Sequence, residues 1–358
     1  MAKALFRADL KLATSTLAAI DAATVLASGD GLRPHLGASI IGRSCARSLW
    51  YDWRWATRAA HEARVLRLFK RGQDEEQRFG ELLRAAGITV HLVHASTGKQ
   101  FSFSHIGGHF GGSMDGVARG IEEAPSNWHL LEFKTHSAKS FNALAGKGVQ
   151  EAKPDHWAQM QCYMGWAGLT RALYCAVCKD DDRLHLERIE FDRAAFDQLM
   201  AKAERIIRAP SPPDGISDDP AWFECKFCPH YALCHGTAAP LPTCRSCTHA
   251  TPEMEGDGRW TCARHSNKLL SVVEQRSGCQ AHRYIPVLLQ RFAEPVDASE
   301  QDNWVRYSLK DGAGEFVNGA PPAGFESQEI HAAQHKTMLA DQTVAEACVA
   351  FTSARVTA

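Results

Sequence analysis

Two carboxylates and one lysine stand in two short segments whose residue types favour strands. Asp115 lies in GGSMDGVA, and Glu132 and Lys134 lie in HLLEFKTH. Because side chains alternate along a strand, Glu132 and Lys134 share one face while Phe133 points away. Carboxylate oxygens suit Mg²⁺ or Mn²⁺, and an ammonium group can orient water and stabilise negative charge beside a phosphate. These segments therefore predict phosphodiester hydrolysis; the alternative is a set of solvated residues at strand ends.

The cysteines indicate a second kind of chemistry. The chain has 12 cysteines, which are many for a reducing compartment where disulfides are rare, so clustered cysteines indicate metal ligands. The clustered candidates are Cys45, Cys225, Cys228, Cys234, Cys244, Cys247, Cys262 and Cys279. The other cysteines lie in apolar or helical patterns or in the tail, and we expect them to be packing residues. These are Cys162, Cys175, Cys178 and Cys348.

Cysteine spacing alone allows more than one grouping. The pattern Cys225-x2-Cys228-x15-Cys244-x2-Cys247 fits a zinc ribbon. A different partition leaves the set Cys244-x2-Cys247-x14-Cys262-x16-Cys279, with His265 and His282 close by. Four thiolates around one metal would let such a loop-rich segment fold without a large core. Spacing does not distinguish zinc from an iron–sulfur cluster in this set.

Composition excludes several classes of protein. With 358 residues, 45% of them hydrophobic and 23% charged, the chain can bury a sizeable core and is neither disordered nor collagen-like. No apolar run is long enough for a membrane span, and no secretory signal is convincing, so we expect a cytoplasmic protein. Forty Lys and Arg against 41 Asp and Glu give a net charge of −1, which excludes a globally basic nucleic-acid coat but not a local basic groove.

One segment is locally basic and aromatic. Residues 43–71 carry eight Lys or Arg against Asp52 and Glu62. The interleaved aromatic residues are Trp50, Tyr51, Trp53, Trp55 and Phe69. This mixture suits phosphate contacts with base stacking. The alternative is an amphipathic helix whose aromatic residues pack inward and whose arginines are solvated.

Periodicity predicts helices and strands around one central sheet. Helices are predicted over 9–26, 71–87, 137–145, 154–168 and 193–208. Strands are predicted over 88–93, 99–105, 109–119, 128–136, 171–179 and 183–192, with a hairpin over 304–319. The pattern indicates an α/β fold.

The order of four motifs, RGQDEEQRF, GGSMDG, EFK and QMQCYM, resembles the PD-(D/E)XK nuclease superfamily, in its RecB-like and phage-exonuclease-like branch. The resemblance spans about residues 39–235. It implies a restriction-endonuclease-like core, a central mixed sheet flanked by helices. The spacing of the later cysteines adds a cysteine-rich C-terminal metal-binding segment, which departs from the minimal family pattern. The expected organisation is an N-terminal helical segment (1–38), the nuclease core (39–236), a four-cysteine module (237–290) and a C-terminal hairpin and tail (291–358).

The resemblance also implies roles for single residues. The catalytic set is Glu76, Asp115, Glu132 and Lys134. Glu76, Asp115, Glu132 and the main-chain carbonyl of Phe133 match the ligands of Mg²⁺ or Mn²⁺. Glu75 would replace Glu76 if the helix register differed by one residue.

The substrate-binding residues implied by the resemblance lie on two helices. Gln159 and Tyr163 match the downstream Q-x-x-x-Y motif, and their four-residue spacing puts both on one helix face. Gln161 is a weaker candidate for the same role, and Arg71 belongs to the arginine–glycine pair of the first core helix. Without the other motifs, Gln159 and Tyr163 would be read as a polar helix face.

The resemblance extends to the first group of cysteines. In iron–sulfur members of the RecB-like branch, including AddB and the CRISPR adaptation nucleases, one upstream cysteine joins three downstream ones. Here Cys45, Cys225, Cys228 and Cys234 match those ligands and imply a structural [4Fe-4S] cluster near the DNA path. Cys244, Cys247, Cys262 and Cys279 are then left for Zn²⁺ or a second cluster.

The function implied is a metal-dependent DNA exonuclease that hydrolyses phosphodiester bonds with a metal-activated water, in phage-type recombination or DNA end processing and repair. Alternatives are a CRISPR spacer-processing nuclease and a non-catalytic DNA-binding scaffold with a nuclease fold. DNA is the expected partner, a recombination or repair protein is a further candidate, and no membrane is involved. Strand polarity, endonuclease against exonuclease action, strand preference and oligomeric state are not encoded in any motif.

Overall fold

The computed structural model describes residues 2–351 and residue 356, with side chains from residue 15 onward. Residues 352–355 and 357–358 of the predicted tail lie outside the described residues. Chain contacts divide the protein into two compact units. The first draws on Met1–Gly31, Ala59–Phe103 and Gly112–Asp197, and the second on Leu32–Arg58, Ser104–Gly111 and Gln198–Ala358. The division of the sequence into four functional segments stays a prediction.

The chain contains runs of helices and runs of strands. The helices are α1 (Ala2–Ala27), α2 (Ala46–Trp53), α3 (Ala63–Ala85), α4 (Ala138–Ala152), α5 (Pro154–Ala167), α6 (Arg193–Arg208), α7 (Phe223–Lys226), α8 (Tyr231–Cys234), α9 (Val272–Ser277), α10 (Ser327–Ala332) and α11 (Gln342–Ala350). The strands are β1 (Leu36–Gly37), β2 (Thr89–His91), β3 (Phe101–His105), β4 (Phe110–Met114), β5 (Gly116–Arg119), β6 (Trp128–His136), β7 (Arg171–Cys178), β8 (Leu184–Glu190), β9 (Ala250–Pro252), β10 (Trp260–Cys262), β11 (Lys268–Leu270), β12 (Ala293–Ser299), β13 (Trp304–Leu309) and β14 (Glu315–Asn318). The predicted α/β pattern is confirmed. Among the described residues, no helix is both long enough and apolar enough to span a membrane.

The first unit is built on a five-stranded sheet with the order β2-β5-β6-β7-β8. Strands β6 and β7 are parallel, while the other neighbours are antiparallel. The sheet is therefore mixed, as predicted. A parallel pair needs a long crossover, and α4 and α5 supply it between β6 and β7.

The two faces of this sheet differ in chemistry because side chains alternate along β6. One face is apolar: Leu131 and Phe133 pack with Leu173 on β7 and with Phe79 and Leu83 on α3. The opposite face carries Glu132, Lys134 and His136, and α4 and α5 contact the sheet there. The sheet thus has helices on both sides, and only one side carries ionisable groups at its centre.

Three helices extend beyond their predicted limits. Helix α1 spans Ala2–Ala27 rather than residues 9–26. Helix α3 begins at Ala63 rather than near residue 71, because its basic first turns lie on an exposed face. Helix α4 continues to Ala152 through a kink at Gly148, whose φ is 75°, a conformation that glycine adopts without strain. The backbone N–H of Val149 donates there to both carboxylate oxygens of Glu187, at 3.0 and 2.9 Å. The kink explains why the helical pattern breaks near Gly146.

The second unit contains two small antiparallel sheets. One has the order β11-β10-β9 and the other β12-β13-β14. The predicted hairpin over 304–319 is confirmed as β13 and β14. The second sheet covers a core that includes Tyr284, Leu289, Phe292, Tyr307 and Phe316.

Candidate active site

The carboxylate site, defined as Glu76, Asp115, Glu132 and Lys134, is assembled by β6 and the turn that precedes β5. Asp115 lies between β4 and β5. Its Oδ2 atom accepts a hydrogen bond from the backbone N–H of Phe133 at 2.7 Å. This bond fixes the Asp115 carboxylate beside β6, at the level of Glu132 and Lys134.

Glycine makes the close approach of the neighbouring strand possible. A Cβ atom on Gly112 would lie 2.5 Å from the Tyr163 hydroxyl oxygen. On the next strand, a Cβ atom on Gly116 would lie 2.7 Å from the carbonyl oxygen of His91. A larger residue at either position would push α5 or β2 away from the strands that flank Asp115.

Glu132 is completely buried. Its Oε1 atom accepts a hydrogen bond from Lys134 Nζ. Its Oε2 atom has no hydrogen-bond partner within the part of the chain that the structure describes. A buried carboxylate oxygen without a partner carries a large desolvation cost, and a divalent cation is a ligand that removes it. The donor set of three carboxylates is chemically suited to Mg²⁺ or Mn²⁺.

The electrostatics of the site show how strongly its charges interact. Burial, followed by the negative charge of Asp115, raises the pKa of Glu76 to about 7. Burial also raises the pKa of Glu132 and of Asp115, and Lys134 opposes both shifts. For Lys134, burial opposes the charged form, but the surrounding carboxylates, Glu132 first, raise its pKa. Lys134 is therefore an ammonium ion held among acids.

The register on α3 places Glu76 in this group. Glu76 interacts electrostatically with Asp115 and Lys134. Glu75 instead pairs with Arg78 on the same helix, with Oε2 to Nη1 at 3.2 Å. The structure thus brings together the four residues of the carboxylate site and leaves Glu75 outside it.

Of the predicted substrate-binding residues, Gln159 and Tyr163 adjoin the site. Both are buried on α5, and they share a side-chain hydrogen bond. Burial, then the charge of Glu132, raises the pKa of Tyr163. Arg71 is exposed on α3, where its Nη2 atom donates to the carbonyl oxygen of Lys179 at 3.1 Å.

Gln161 is a correction to the sequence prediction. It is completely buried, away from solvent. Its Nε2 atom donates to the carbonyl oxygen of Glu190 at 3.0 Å, and its Oε1 atom accepts from the backbone N–H of Asp192 at 2.8 Å. Because its amide is used to anchor the end of β8, Gln161 is not available to DNA.

The group of His136, His156 and Tyr174 side chains near Lys134 was not predicted from the sequence. His136 Nε2 and His156 Nδ1 both contact the Tyr174 hydroxyl, at 2.9 and 2.8 Å. Burial lowers the pKa of His156 to about 3, with Lys134 the next contribution. The alternation that pairs Glu132 with Lys134 also places His136 on the same face, so the sequence pattern is sufficient to predict the position of His136. Tyr174 depends on the register Glu132↔Tyr174 between parallel strands, which the sequence does not reveal.

The basic aromatic segment does not form a stacking surface. Trp50, Trp53 and Trp55 are buried, and Tyr51 is nearly so. The interpretation with inward-packed aromatic residues is therefore correct, and the base-stacking interpretation is wrong for these four. Phe69 is exposed.

All twelve cysteines are free thiols, and eight of them belong to the two predicted groups. Cys45, Cys225, Cys228 and Cys234 line one pocket together with Arg47 and Tyr51. The guanidinium of Arg47 lies 3.6 Å from Cys234 Sγ. The pKa of Cys225 is raised by burial and then by the other three thiols of this group.

The second group follows the other predicted set. The pKa of Cys244 is raised to about 12 by burial and then by Cys247, Cys279 and Cys262. The Cys244 thiol donates to the carbonyl oxygen of Glu274 at 3.4 Å, and Cys279 Sγ lies 3.7 Å from His265 Nε2. The choice between this partition and the zinc-ribbon partition stays a prediction.

As the side chains stand, no group of three or more His, Cys, Asp or Glu within the described ranges could hold a metal ion. The ligand assignments remain predictions.

No family model matches the sequence, and no curated protein matches it. Solved structures are similar to parts of the chain. A protein named SSO0001 is 14% identical, with a TM-score of 0.39, over 62% of this chain and 96% of that one. The alkaline exonuclease LHK-Exo from Laribacter hongkongensis is 17% identical, with a TM-score of 0.35, over 52% of this chain and 89% of its own. Its complex with dAMP gives the same values. At this level of likeness, function has to be argued from the side chains themselves.

Proposed function

We propose that the chain is a metal-dependent DNA nuclease of the PD-(D/E)XK type, acting as an exonuclease in recombination or DNA end processing. The observation that carries this proposal is the buried Oε2 atom of Glu132, which lacks a hydrogen-bond partner among the described residues while the charges of Asp115, Glu76 and Lys134 converge on it. A folded protein keeps such a buried charged group at a cost in stability, and active sites are where that cost is most often found.

Glu76, Asp115 and Glu132, with the main-chain carbonyl of Phe133, would hold Mg²⁺ or Mn²⁺. When bound, such an ion lowers the pKa of a coordinated water and neutralises charge on the scissile phosphate. Burial first, and then the negative charge of Asp115, raises the pKa of Glu76 and Glu132, and a bound cation would favour the charged form of both carboxylates.

The proposal assigns further roles to Lys134, Tyr163, Gln159 and Arg71. Lys134 carries the positive charge next to Glu132, where it would orient the attacking water and stabilise the developing negative charge. Tyr163 and Gln159 present a hydroxyl and an amide on the α5 side of the same face, where they would hold the DNA strand. Arg71, exposed on α3, would contact a phosphate.

The cysteine groups belong to the proposal as structural elements. Cys45, Cys225, Cys228 and Cys234 would hold a [4Fe-4S] cluster, and four thiolates are the usual ligand set for it. Cys244, Cys247, Cys262 and Cys279 would hold Zn²⁺. Arg47, close to Cys234, would balance part of the thiolate charge of the first group.

The test is cleavage of end-labelled single-stranded and duplex DNA with Mg²⁺ or Mn²⁺, using anaerobically purified protein. We expect wild-type cleavage and its loss in Lys134→Ala. The matched control is Lys147→Ala, since Lys147 is exposed on α4 and pairs only with Glu151 at 2.8 Å among its described ion pairs. The product ladder distinguishes exonuclease from endonuclease action. DNA binding without cleavage by wild type would favour a scaffold, and equal cleavage by Lys134→Ala would refute the site.

A further inference from the structure

The second unit buries an arginine whose charge is not matched by a carboxylate. Arg54 follows α2 and is 5% exposed. Its Nη1 atom donates to the carbonyl oxygen of Arg245 at 3.3 Å, and its Nε atom has no hydrogen-bond partner among the described residues. Burial lowers the pKa of Arg54 to about 10, with no acidic residue to offset it. Arginines buried to this extent are rare unless they are paired.

Aromatic rings and a second arginine surround this group. The guanidinium carbon of Arg54 lies 5.3, 4.9 and 5.0 Å from the ring centroids of Trp50, Trp53 and Trp260. Arg245 is also buried, and burial followed by the charge of Arg54 lowers its pKa to about 9. The ring faces stabilise the cations, but no carboxylate among the described residues forms an ion pair with Arg54 or contributes to the pKa of either arginine.

Arg54 lines a cavity of about 460 Å³ in the same unit. Arg208, at the end of α6, also lines it, as do Thr248, Thr251 and the apolar side chains of Ile207 and Met254. None of the described lining residues is acidic. Arg208 pairs with Glu204, one turn earlier on α6, at 2.8 Å. The cavity is thus lined by two arginines, two threonines and Cys247, and apolar residues make up the rest of its wall.

We propose that this arginine cavity, defined by Arg54, Arg208, Thr248 and Thr251, binds a phosphate group carried by a nucleotide or by a polynucleotide chain. A phosphate would supply an acceptor to the guanidinium of Arg54, whose Nε atom has none among the described residues, and it would compete with Glu204 for the guanidinium of Arg208. Arginine binds phosphate with two parallel hydrogen bonds. The apolar wall accommodates the sugar or base that accompanies the phosphate. This site does not depend on the carboxylate site or on its proposed activity.

The test is a binding titration of the full-length protein in EDTA, so that DNA is not cleaved. The probes are inorganic phosphate, thymidine 5′-monophosphate, thymidine, and an oligothymidylate of about 12 nucleotides. Tryptophan fluorescence reports binding, because Trp53 and Trp260 contact Arg54. We expect saturable binding of phosphate-bearing probes and none of thymidine.

Two variants locate the site. Arg208→Gln and Arg54→Lys should each weaken binding by about tenfold, because the first removes a charge and the second removes the planar donor geometry. The matched control is Arg205→Gln, because Arg205 lies in the same last turn of α6 but not in the cavity wall. Near-UV circular dichroism and melting temperature verify the fold of each variant.

The probes also separate the two sources of phosphate. Binding of thymidine 5′-monophosphate that competes with the oligonucleotide assigns the cavity to a single phosphate group, and binding of the oligonucleotide alone assigns it to a polynucleotide. The proposal is overturned if no probe binds, or if folded Arg208→Gln and Arg54→Lys proteins bind as well as wild type.

Discussion

The carboxylate site and the arginine cavity are opposite in charge and similar in physical situation. At the carboxylate site, the buried carboxylate of Glu132 has an Oε2 atom without a hydrogen-bond partner in the described structure. At the arginine cavity, the buried guanidinium of Arg54 has an Nε atom that likewise lacks a partner there. The first has Lys134 as partial compensation, whereas the second has tryptophan faces and a like-charged Arg245. A buried charge without its full set of partners predicts a ligand of the opposite sign: a cation in one case and a phosphate in the other.

The largest effect is expected from removing the positive charge of Lys134 at the carboxylate site. Lys134→Met should lower the rate of DNA cleavage about 1,000-fold, or about 4 kcal/mol of transition-state stabilisation, because it carries the charge closest to Glu132. Single-turnover cleavage with Mn²⁺ measures the rate. A decrease below tenfold would assign Lys134 a structural role and break the parallel with the arginine cavity.

The next effect separates the two buried arginines. Arg245 donates to Gln275 Oε1 at 3.0 Å and to the carbonyl oxygens of Trp53 and Pro34 at 3.0 and 2.8 Å. Arg245→Met leaves these acceptors without a donor and should lower the free energy of unfolding by about 3 kcal/mol. Arg54→Met should cost less, since Arg54 makes a single such bond in the described structure. Urea denaturation compares them, with exposed Arg205→Met as control. An equal loss would make both arginines structural.

A smaller effect concerns the pH dependence of stability without metal. Glu132 ionises near pH 4.5 in an unfolded chain, whereas burial raises its pKa to about 7 in the folded protein. The folded state therefore holds the proton more tightly, and stability falls as pH rises from about 4.5 to about 7. In EDTA, Glu132→Gln should remove about 1–2 kcal/mol of that loss.

Thermal unfolding near pH 5 and near pH 8 measures this difference. Glu187→Gln is a control, because the Glu187 carboxylate already accepts hydrogen bonds from the backbone of Val149. The assignment of an unsatisfied, costly charge to Glu132 is contradicted if the variant follows the wild-type pH profile.

The smallest effect tests the register of α3. Glu76→Gln should lower the rate of DNA cleavage by about tenfold, because Glu76 interacts electrostatically with Asp115 and Lys134. Glu75→Gln should leave cleavage within about twofold and change stability by less than about 0.5 kcal/mol, because its partner is the solvent-facing Arg78. A larger loss of cleavage in Glu75→Gln than in Glu76→Gln would assign Glu75, rather than Glu76, to the carboxylate site.

The two regions also differ in how far the sequence predicts them. The pairing of Glu132 with Lys134 follows from alternation along one strand, and Asp115 stands 17 positions before Glu132 at a turn. The wall of the arginine cavity comes from four separate parts of the chain: residue 54, residues 207, 208 and 210, residues 247, 248, 250–252 and 254, and residue 285. No local period connects segments so distant in sequence, so a pattern cannot reveal it.

Burial is the other property that the sequence left open. Trp50, Trp53 and Trp55 are suited to base stacking or to core packing, and only tertiary contacts with residues such as Trp260 and Arg245 decide between the two. Gln161 and Gln159 are equally polar, yet the end of β8 takes up the amide of Gln161. The helices and strands of the first unit, by contrast, are marked by local periodicity and by glycines.

Phe133 ties the two faces of the central sheet together. Its backbone N–H holds Asp115, while its ring stacks on Phe79 from α3, with centroids 5.1 Å apart and planes within 9°. Packing in the apolar core therefore helps to fix the position of the Asp115 carboxylate through the backbone of Phe133. Replacing the Phe79 ring with a smaller side chain would loosen the packing of Phe133. The specific activity should then decrease more than the folded fraction does, although Phe79 lies in the apolar core and not at the carboxylate site.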